Sequence, residues 1–332
     1  MQQETVNMIE SSPKAPIVLF VYNRPEHTRR TIKSLRANRL ASASHLIVFS
    51  DGAKSEEGIL LVEQVRQYID EIDGFASVTV IKRDKNWGLA NSIIDGVTQI
   101  VNKYGKIIVL EDDLLISPYF LDYMNDGLDL YEGNKEVATI QAHIFPWTKS
   151  SLPDSYFLPS AGCWGWGTWK RAWDNFNKDT KSLLDKINQK GLARKFDMDS
   201  SYPYTRMLKR QIRGEVDSWA IRWYATNFLL NMKGLYPGHT FIQQIGYDAS
   251  GTHCGKIENI EMLVAPLAES YIKIKPVPVE IDPVVYGYMK TYYKQVFPQR
   301  NPFLEFILGI VRKVLPKKAL NFIRTLRQSI RG

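Results

Sequence analysis

Residues 106–113 read Lys-Ile-Ile-Val-Leu-Glu-Asp-Asp: an apolar run, Ile107 to Leu110, that ends in three carboxylates, Glu111, Asp112 and Asp113. So short a run of β-branched and aliphatic residues reads as a strand buried on both faces, as in a parallel sheet. Three adjacent like charges at its end repel one another. On an extended chain, side chains two apart point the same way, which places Glu111 and Asp113 on one face. A hard divalent cation that also bridges to a phosphate would relieve the repulsion. The other reading is a solvated acidic turn that caps a helix beginning near Pro118.

Upstream, the same pattern repeats. Pro16 to Val21, His45 to Phe49 and Val78 to Ile81 read as strands, and Glu26 to Ala41, Ser55 to Ile72 and Leu89 to Lys103 as the helices between them. With the strand ending at Leu110, this alternation predicts right-handed crossovers and an α/β fold. Its sheet is Rossmann-like, mixed but mainly parallel, and flanked by helices, with ligands at the strands' carboxyl ends.

The segments that follow those ends carry the candidate chemistry. They are Tyr22-Asn23-Arg24-Pro25, Ser50-Asp51-Gly52, and Lys82-Arg83 with Asn86 and Gly88. There is no G-x-x-x-x-G-K-[ST] and no G-x-G-x-x-G after the first strand, so the common ATP and dinucleotide signatures are absent. Asp51 suits a hydrogen bond to a base or ribose, although Asp-Gly is also a turn pair. Lys82 and Arg83 would neutralise a diphosphate, or are simply solvated.

Composition sets the bounds. The chain has 332 residues, 44% hydrophobic and 23% charged, enough for one large domain with an appendage. Cys163 and Cys254 match no zinc or disulfide spacing, which points to a reducing compartment. Met1 to Lys14 has no basic n-region followed by an apolar h-region, and no apolar stretch is long enough to span a bilayer. A cytoplasmic location is expected. Of the net charge of +8, residues 299–332 hold +7, from eight basic residues against Glu305. Phe303, Phe306, Ile307, Ile310, Val311, Val314 and Leu315, then Leu320, Ile323 and Leu326 beyond Pro316, recur at helical spacing between those charges. This basic amphipathic tail suits an anionic membrane surface, peripheral on the inner face, or packing on the body or another subunit. Its aromatic residues lie inside the apolar stripe rather than beside the charges, which argues against nucleic acid.

Taken together, Tyr22-Asn23-Arg24-Pro25, Ser50-Asp51-Gly52, Asn86-Trp87-Gly88-Leu89-Ala90-Asn91 and Val109-Leu110-Glu111-Asp112-Asp113 resemble nucleotide-sugar glycosyltransferases of the GT-A fold. The resemblance is to the broad family 2 group and, in the acidic triplet, to the N-acetylglucosaminyltransferase I type, over residues 14 to 255. The catalytic domain is expected over 14–275, up to the proline-rich Pro276-Val277-Pro278, with a linker or helical extension over 276–298 and the tail over 299–332. The resemblance implies that Asp113 ligates Mn²⁺ or Mg²⁺ against the donor diphosphate, with Glu111 and Asp112 toward the ribose and base side. Asp51 would bind the base, with Tyr22, Asn23 and Arg24 forming the first nucleotide-contact loop.

The second half must then supply the acceptor site. Gly162-Cys163-Trp164-Gly165-Trp166-Gly167-Thr168-Trp169 is rich in indoles and glycines. Trp164, Trp166 and Trp169 are acceptor candidates because indoles stack on sugar faces, and the other reading is an aromatic core turn. Asp217 sits ahead of a helical stretch from Trp219 to Met232, where it would serve as N-cap. By resemblance it is the general base of an inverting enzyme, with Glu215 second. His253, in the glycine-rich stretch 246–255, either completes the metal shell or is a loop histidine. His27, His45, His143 and His239 form no metal spacing and are expected to pack or face solvent. The expected activity is sugar transfer from a nucleotide-diphosphate sugar, UDP foremost, to a hydroxyl of a glycan or lipid-linked glycan. The alternatives are a nucleotidyltransferase, which would want a basic glycine-rich loop after the first strand, and a non-catalytic carbohydrate-binding protein.

Overall fold

The computed structural model describes residues 13–148, 150–160, 162–248, 263–271 and 273–297; His253 and the tail at 299–332 lie outside them. Its first half is the expected alternation: β1 (Ile17–Val21), α1 (Pro25–Arg36), β2 (His45–Ser50), α2 (Glu56–Asp70), β3 (Ser77–Lys82), α3 (Leu89–Tyr104) and β4 (Lys106–Glu111). These are followed by β5 (Leu114–Ile116), α4 (Phe120–Leu130), β6 (Val137–Gln141), β7 (Ser155–Pro159), β8 (Trp166–Trp169) and α5 (Lys170–Trp173). Next come α6 (Thr180–Gln189), α7 (Ala193–Phe196), α8 (Tyr204–Ile212), α9 (Trp219–Leu229), β9 (Lys233–Pro237), β10 (Ile242–Gln244) and α10 (Pro283–Val296).

Eight strands form one sheet in the order β3-β2-β1-β4-β8-β6-β9-β7. β1, β2, β3 and β4 are mutually parallel, while β8 enters antiparallel between β4 and β6. After β3 the chain returns through α3 and places β4 on the other side of β1. The strand order therefore reverses between β1 and β4, and the crevice at their carboxyl ends is where such sheets bind ligands.

Side chains alternate across the central strands. Ile17, Leu19, Leu46, Val48, Ile108 and Leu110 join one core with Ile32 and Leu35 of α1, Val65 of α2 and Met124 of α4. Val18, Phe20, Ile47, Phe49, Ile107 and Val109 join the other with Ile93 and Val97 of α3 and Trp219 and Trp223 of α9. A third cluster lies under α6, α8 and α10, where Val285, Met289, Tyr292 and Tyr293 are buried. Part of the segment 276–298 is thus a helix packed on the body, begun by Asp282, whose Oδ1 accepts the N–H groups of Val284 and Val285.

Two short strands bring distant chain to the crevice. β5 pairs antiparallel with β10, and Asp113 C=O then accepts the N–H of Ile245 at 2.8 Å. The acidic triplet is held against residues 244–248 by this ladder.

Candidate active site

β4 ends at Glu111, and the chain turns at Asp112 and Asp113 before β5. The extended geometry that would put Glu111 and Asp113 on one face is therefore broken, and Asp112 and Asp113 converge instead. Their shared partner is Arg24, the residue before α1. Its Nη2 donates to Asp112 Oδ1, and its Nη1 lies 2.9 Å from Asp113 Oδ2. Thr31, fully buried on α1, fixes the turn: its hydroxyl donates to Asp112 C=O at 2.8 Å and accepts from Leu114 N–H at 3.1 Å. In the sequence, the only signal of Thr31 is a hydroxyl on the buried face of α1.

The electrostatics are those of crowded acids in a low-dielectric pocket. Burial, ahead of the Asp113 and Asp112 charges, pushes the Glu111 carboxyl up to about 8. Burial also raises Asp112, against the pull of Arg24. Burial works to lower Arg24, yet Asp112 and Asp113 outweigh it and hold the guanidinium above its ordinary value. Asp113 Oδ1 is buried with no hydrogen-bond partner among the described residues. Such an atom is costly unless something binds it.

Gly246 closes the pocket. A Cβ there would stand 2.5 Å from Asp113 Oδ2 and 3.2 Å from Arg24 Nη1, so the backbone approaches the acid more closely than a side chain permits. One turn along α1, His27 Nε2 reaches Asp248 Oδ2 at 3.3 Å, tying the same segment down. His45 pairs with Ser77 at 2.6 Å, and the His143 ring stands edge-on to Trp164.

The loops after β2 and β3 form one unit. Asp51 accepts from Gly52 N–H (3.0 Å), Trp87 N–H (2.8 Å), Gly88 N–H (2.9 Å) and Asn86 Nδ2 (3.1 Å). An ionised carboxylate has about four acceptor positions, so Asp51 is filled by the loop it holds. The structure thus gives Asp51 an organising role in the loops that follow β2 and β3. Asn86 and Gly88 are parts of the same clasp, and Gly88 adopts φ +74°. Tyr22 orients the neighbouring loop, its hydroxyl accepting Lys54 N–H at 3.0 Å; Asn23 beside it is half-buried.

Lys82 and Arg83 take separate partners. Consecutive strand residues face opposite sides. Lys82 pairs with Asp70 of α2, whereas Arg83 is buried, pairs with Asp95 of α3 at 2.6 Å and stacks over Trp87 at 3.8 Å.

The tryptophan segment divides. Trp166 and Trp169 are removed from acceptor contact because β8 is an interior strand: Trp166 is 0% exposed and Trp169 2%. Lying three apart, they enter opposite cores. Trp166 stacks on Trp219 at 5.0 Å, and Trp169 Nε1 donates to Leu128 C=O. The glycines beside Trp166 serve packing: a Cβ on Gly165 would meet Ile242 at 2.7 Å, and one on Gly167 would meet Met124 at 3.0 Å. Trp164 stays half-buried beside His143, Phe145 and Tyr247, next to Gly246.

Asp217 is not the N-cap of α9; Ser218 is, its hydroxyl accepting Ile221 N–H. The short link from α9 to β9, which runs parallel to β4 through β6, makes α9 double back along the sheet. Its N-terminus, with Asp217, then lies on the carboxyl edge. Arg222 Nη2 (2.9 Å) and Gln211 Nε2 (3.1 Å) both bond Asp217 Oδ1. Glu215 is fixed between Arg213 and Arg210, and the hydrogen bond from Arg213 holds its carboxyl below the usual range.

An α/β sheet whose topological switch point gathers carboxylates and a guanidinium belongs to the class that binds ligands in that crevice. A family model described as "Glycosyl transferase family 2" matches residues 17–182, half of the chain, from β1 into α6. The chain belongs to glycosyl transferase family 2. It is 25% identical over 202 residues to an alpha-1,3-mannosyl-glycoprotein 2-beta-N-acetylglucosaminyltransferase of Arabidopsis thaliana, covering 54% of this chain and 44% of that protein. It thus spans less than half the length of that relative. Similar solved structures include the mannosyltransferase PcManGT from Pyrobaculum calidifontis in complex with GDP-Man and Mn²⁺ (10% identity, TM-score 0.37, 66% of this chain and 72% of that one). S. aureus TarS is more distant (12% identity, TM-score 0.28, 43% and 24%).

Proposed function

We propose that this chain transfers a sugar from a nucleotide-diphosphate sugar, UDP foremost, to a hydroxyl of a glycan or lipid-linked glycan, with inversion. Family membership and the activity for which the Arabidopsis relative is named support the class of reaction. The observation that carries the reading is Asp113, just beyond the carboxyl end of β4, which keeps one buried oxygen without a partner among the described residues while Arg24 meets the other.

The residues fit a hard divalent cation. Asp113 offers a buried carboxylate oxygen with no hydrogen-bond partner among the described residues. That suits Mg²⁺ or Mn²⁺ held by one or two carboxylates and completed by substrate phosphates. When bound, the cation supplies positive charge to the leaving diphosphate. His253 remains a proposed further ligand.

The chain's own residues do the remaining work. Arg24 adds a positive charge beside the phosphates. The Asp51 clasp and Tyr22 shape the base and ribose side. Trp164 offers an indole to the acceptor sugar. Asp217 takes the proton from the attacking hydroxyl; both hydrogen bonds from Arg222 and Gln211 go to Oδ1, so Oδ2 is the oxygen that accepts it. Glu215, charge-locked by two arginines, is the poorer base.

No helix among the described residues is long and apolar enough to cross a membrane. Contact with an anionic membrane surface is proposed for the basic tail, and deleting 299–332 should release the protein from acidic vesicles. The activity is tested by nucleotide release from UDP-, GDP-, CMP- and dTDP-sugars with mixed glycan acceptors, before and after EDTA. Release from one nucleotide class, lost with EDTA, is expected. Release that survives EDTA would remove the metal from the mechanism, and no release from any donor would overturn it.

A further inference from the structure

Arg24 occupies the place where a cation would be needed. Its side chain is 16% exposed, and those of Asp112 and Asp113 are 5% and 7%. Two carboxylates buried this deeply require a positive partner, and the planar guanidinium fork can serve both at once. Its two arms are unequal. Nη2 makes a hydrogen bond to Asp112, whereas Nη1 lies 2.9 Å from Asp113 Oδ2 without a hydrogen-bond partner of good geometry. Gly246 backs the Nη1 arm, so the guanidinium is wedged between Asp113 and the backbone.

We infer that Arg24 is the resident counter-cation of the Asp112–Asp113 pair, a positioning residue that obstructs divalent-cation uptake until a nucleotide diphosphate draws its Nη1 arm off Asp113. The inference rests on the metal reading proposed above and adds an order to it. The diphosphate offers Arg24 an alternative anion, and the freed Asp113 oxygens then become available. In the absence of nucleotide, cation and guanidinium compete for the same carboxylate. The arm on Asp112 stays bonded throughout and keeps the turn after β4 in place.

The test is Mn²⁺ binding to the full chain without nucleotide, read from the electron paramagnetic resonance signal of free Mn²⁺. Wild type is compared with Arg24→Gln, Arg24→Lys and Arg29→Gln. Arg29 lies further along α1 in an exposed pair with Glu26, and its loss should change little. Arg24→Gln is expected to bind Mn²⁺ at least about tenfold tighter than wild type, about 1.4 kcal/mol. Arg24→Lys, whose ammonium cannot fork across two acids, should gain by a smaller factor, and it carries the test if the glutamine variant does not fold. Equal or weaker binding by the Arg24 variants would overturn the inference, as would an equal gain in Arg29→Gln. Wild type is also measured with UDP. If neither it nor any variant takes up Mn²⁺ under either condition, the metal reading itself fails. If wild type binds Mn²⁺ with UDP but Arg24→Gln shows no nucleotide-free gain, only the role of Arg24 fails.

Discussion

Asp51 Oδ2 accepts the backbone N–H of Gly88 at 2.9 Å, joining the end of β2 to the start of α3. With the bonds to Trp87, Asn86 and Gly52, this makes Asp51 the fastener of two loops. Asp51→Asn replaces an acceptor with a donor facing backbone N–H groups. The expected cost is about 1–3 kcal/mol of folding stability, with donor affinity falling because the loops lose their shape. Urea unfolding checks it; an unchanged midpoint with weakened donor binding would instead indicate direct contact with the nucleotide.

Trp164 and Trp166 should separate cleanly. Trp166→Ala empties a fully buried site among Trp173, Trp219 and Trp223 and should cost about 3–5 kcal/mol. Trp164→Ala, at a half-buried indole, should cost less stability than Trp166→Ala and raise KM for the acceptor. A KM unaffected by Trp164→Ala would remove it from the acceptor site.

Asp217→Asn should lower kcat by about 10²–10⁴ with donor binding intact, the range for loss of a general base. Glu215→Gln should leave kcat within a small factor, since two arginines already hold that carboxylate. Steady-state kinetics of the pair decide between them, and a larger loss in Glu215→Gln would reverse the assignment.

The folded chain holds the Glu111 carboxyl at about 8, while the unfolded chain returns it to the ordinary carboxylate range. Between those values the folded state binds the extra proton, so stability falls as pH rises through the window. Thermal unfolding from about pH 5 to about pH 8 should show a steeper decline for wild type than for Glu111→Gln. Equal slopes would contradict the upward shift of the Glu111 carboxyl.

β1, β2 and β4 were legible because each carries an apolar run bounded by polar turns, the pattern that strands buried on both faces require, whereas β3 is an edge strand interrupted by Thr79 and only partly buried. The crevice followed from the order of those runs. The local geometry did not. Whether Glu111 and Asp113 share a face depends on a turn at Asp112 that Thr31, 81 residues away from Asp112 in sequence, holds in place. The tryptophans misled because β8 is four residues long, too short for a period, and its burial comes from insertion between β4 and β6. Gly246 and Asp248 acquire meaning only once β10 pairs with β5. Asp51 looked like a ligand because its four donors come from a loop whose approach no local pattern reveals.

The most direct test of the account is thermal unfolding of the full chain with UDP-, GDP-, CMP- and dTDP-sugars, each with and without Mn²⁺, because a ligand that binds the folded state raises its melting temperature. The account predicts a rise with UDP-sugars that requires Mn²⁺ and is lost in Asp113→Ala. No rise with any nucleotide sugar under either condition, or a rise that Asp113→Ala leaves untouched, would contradict it.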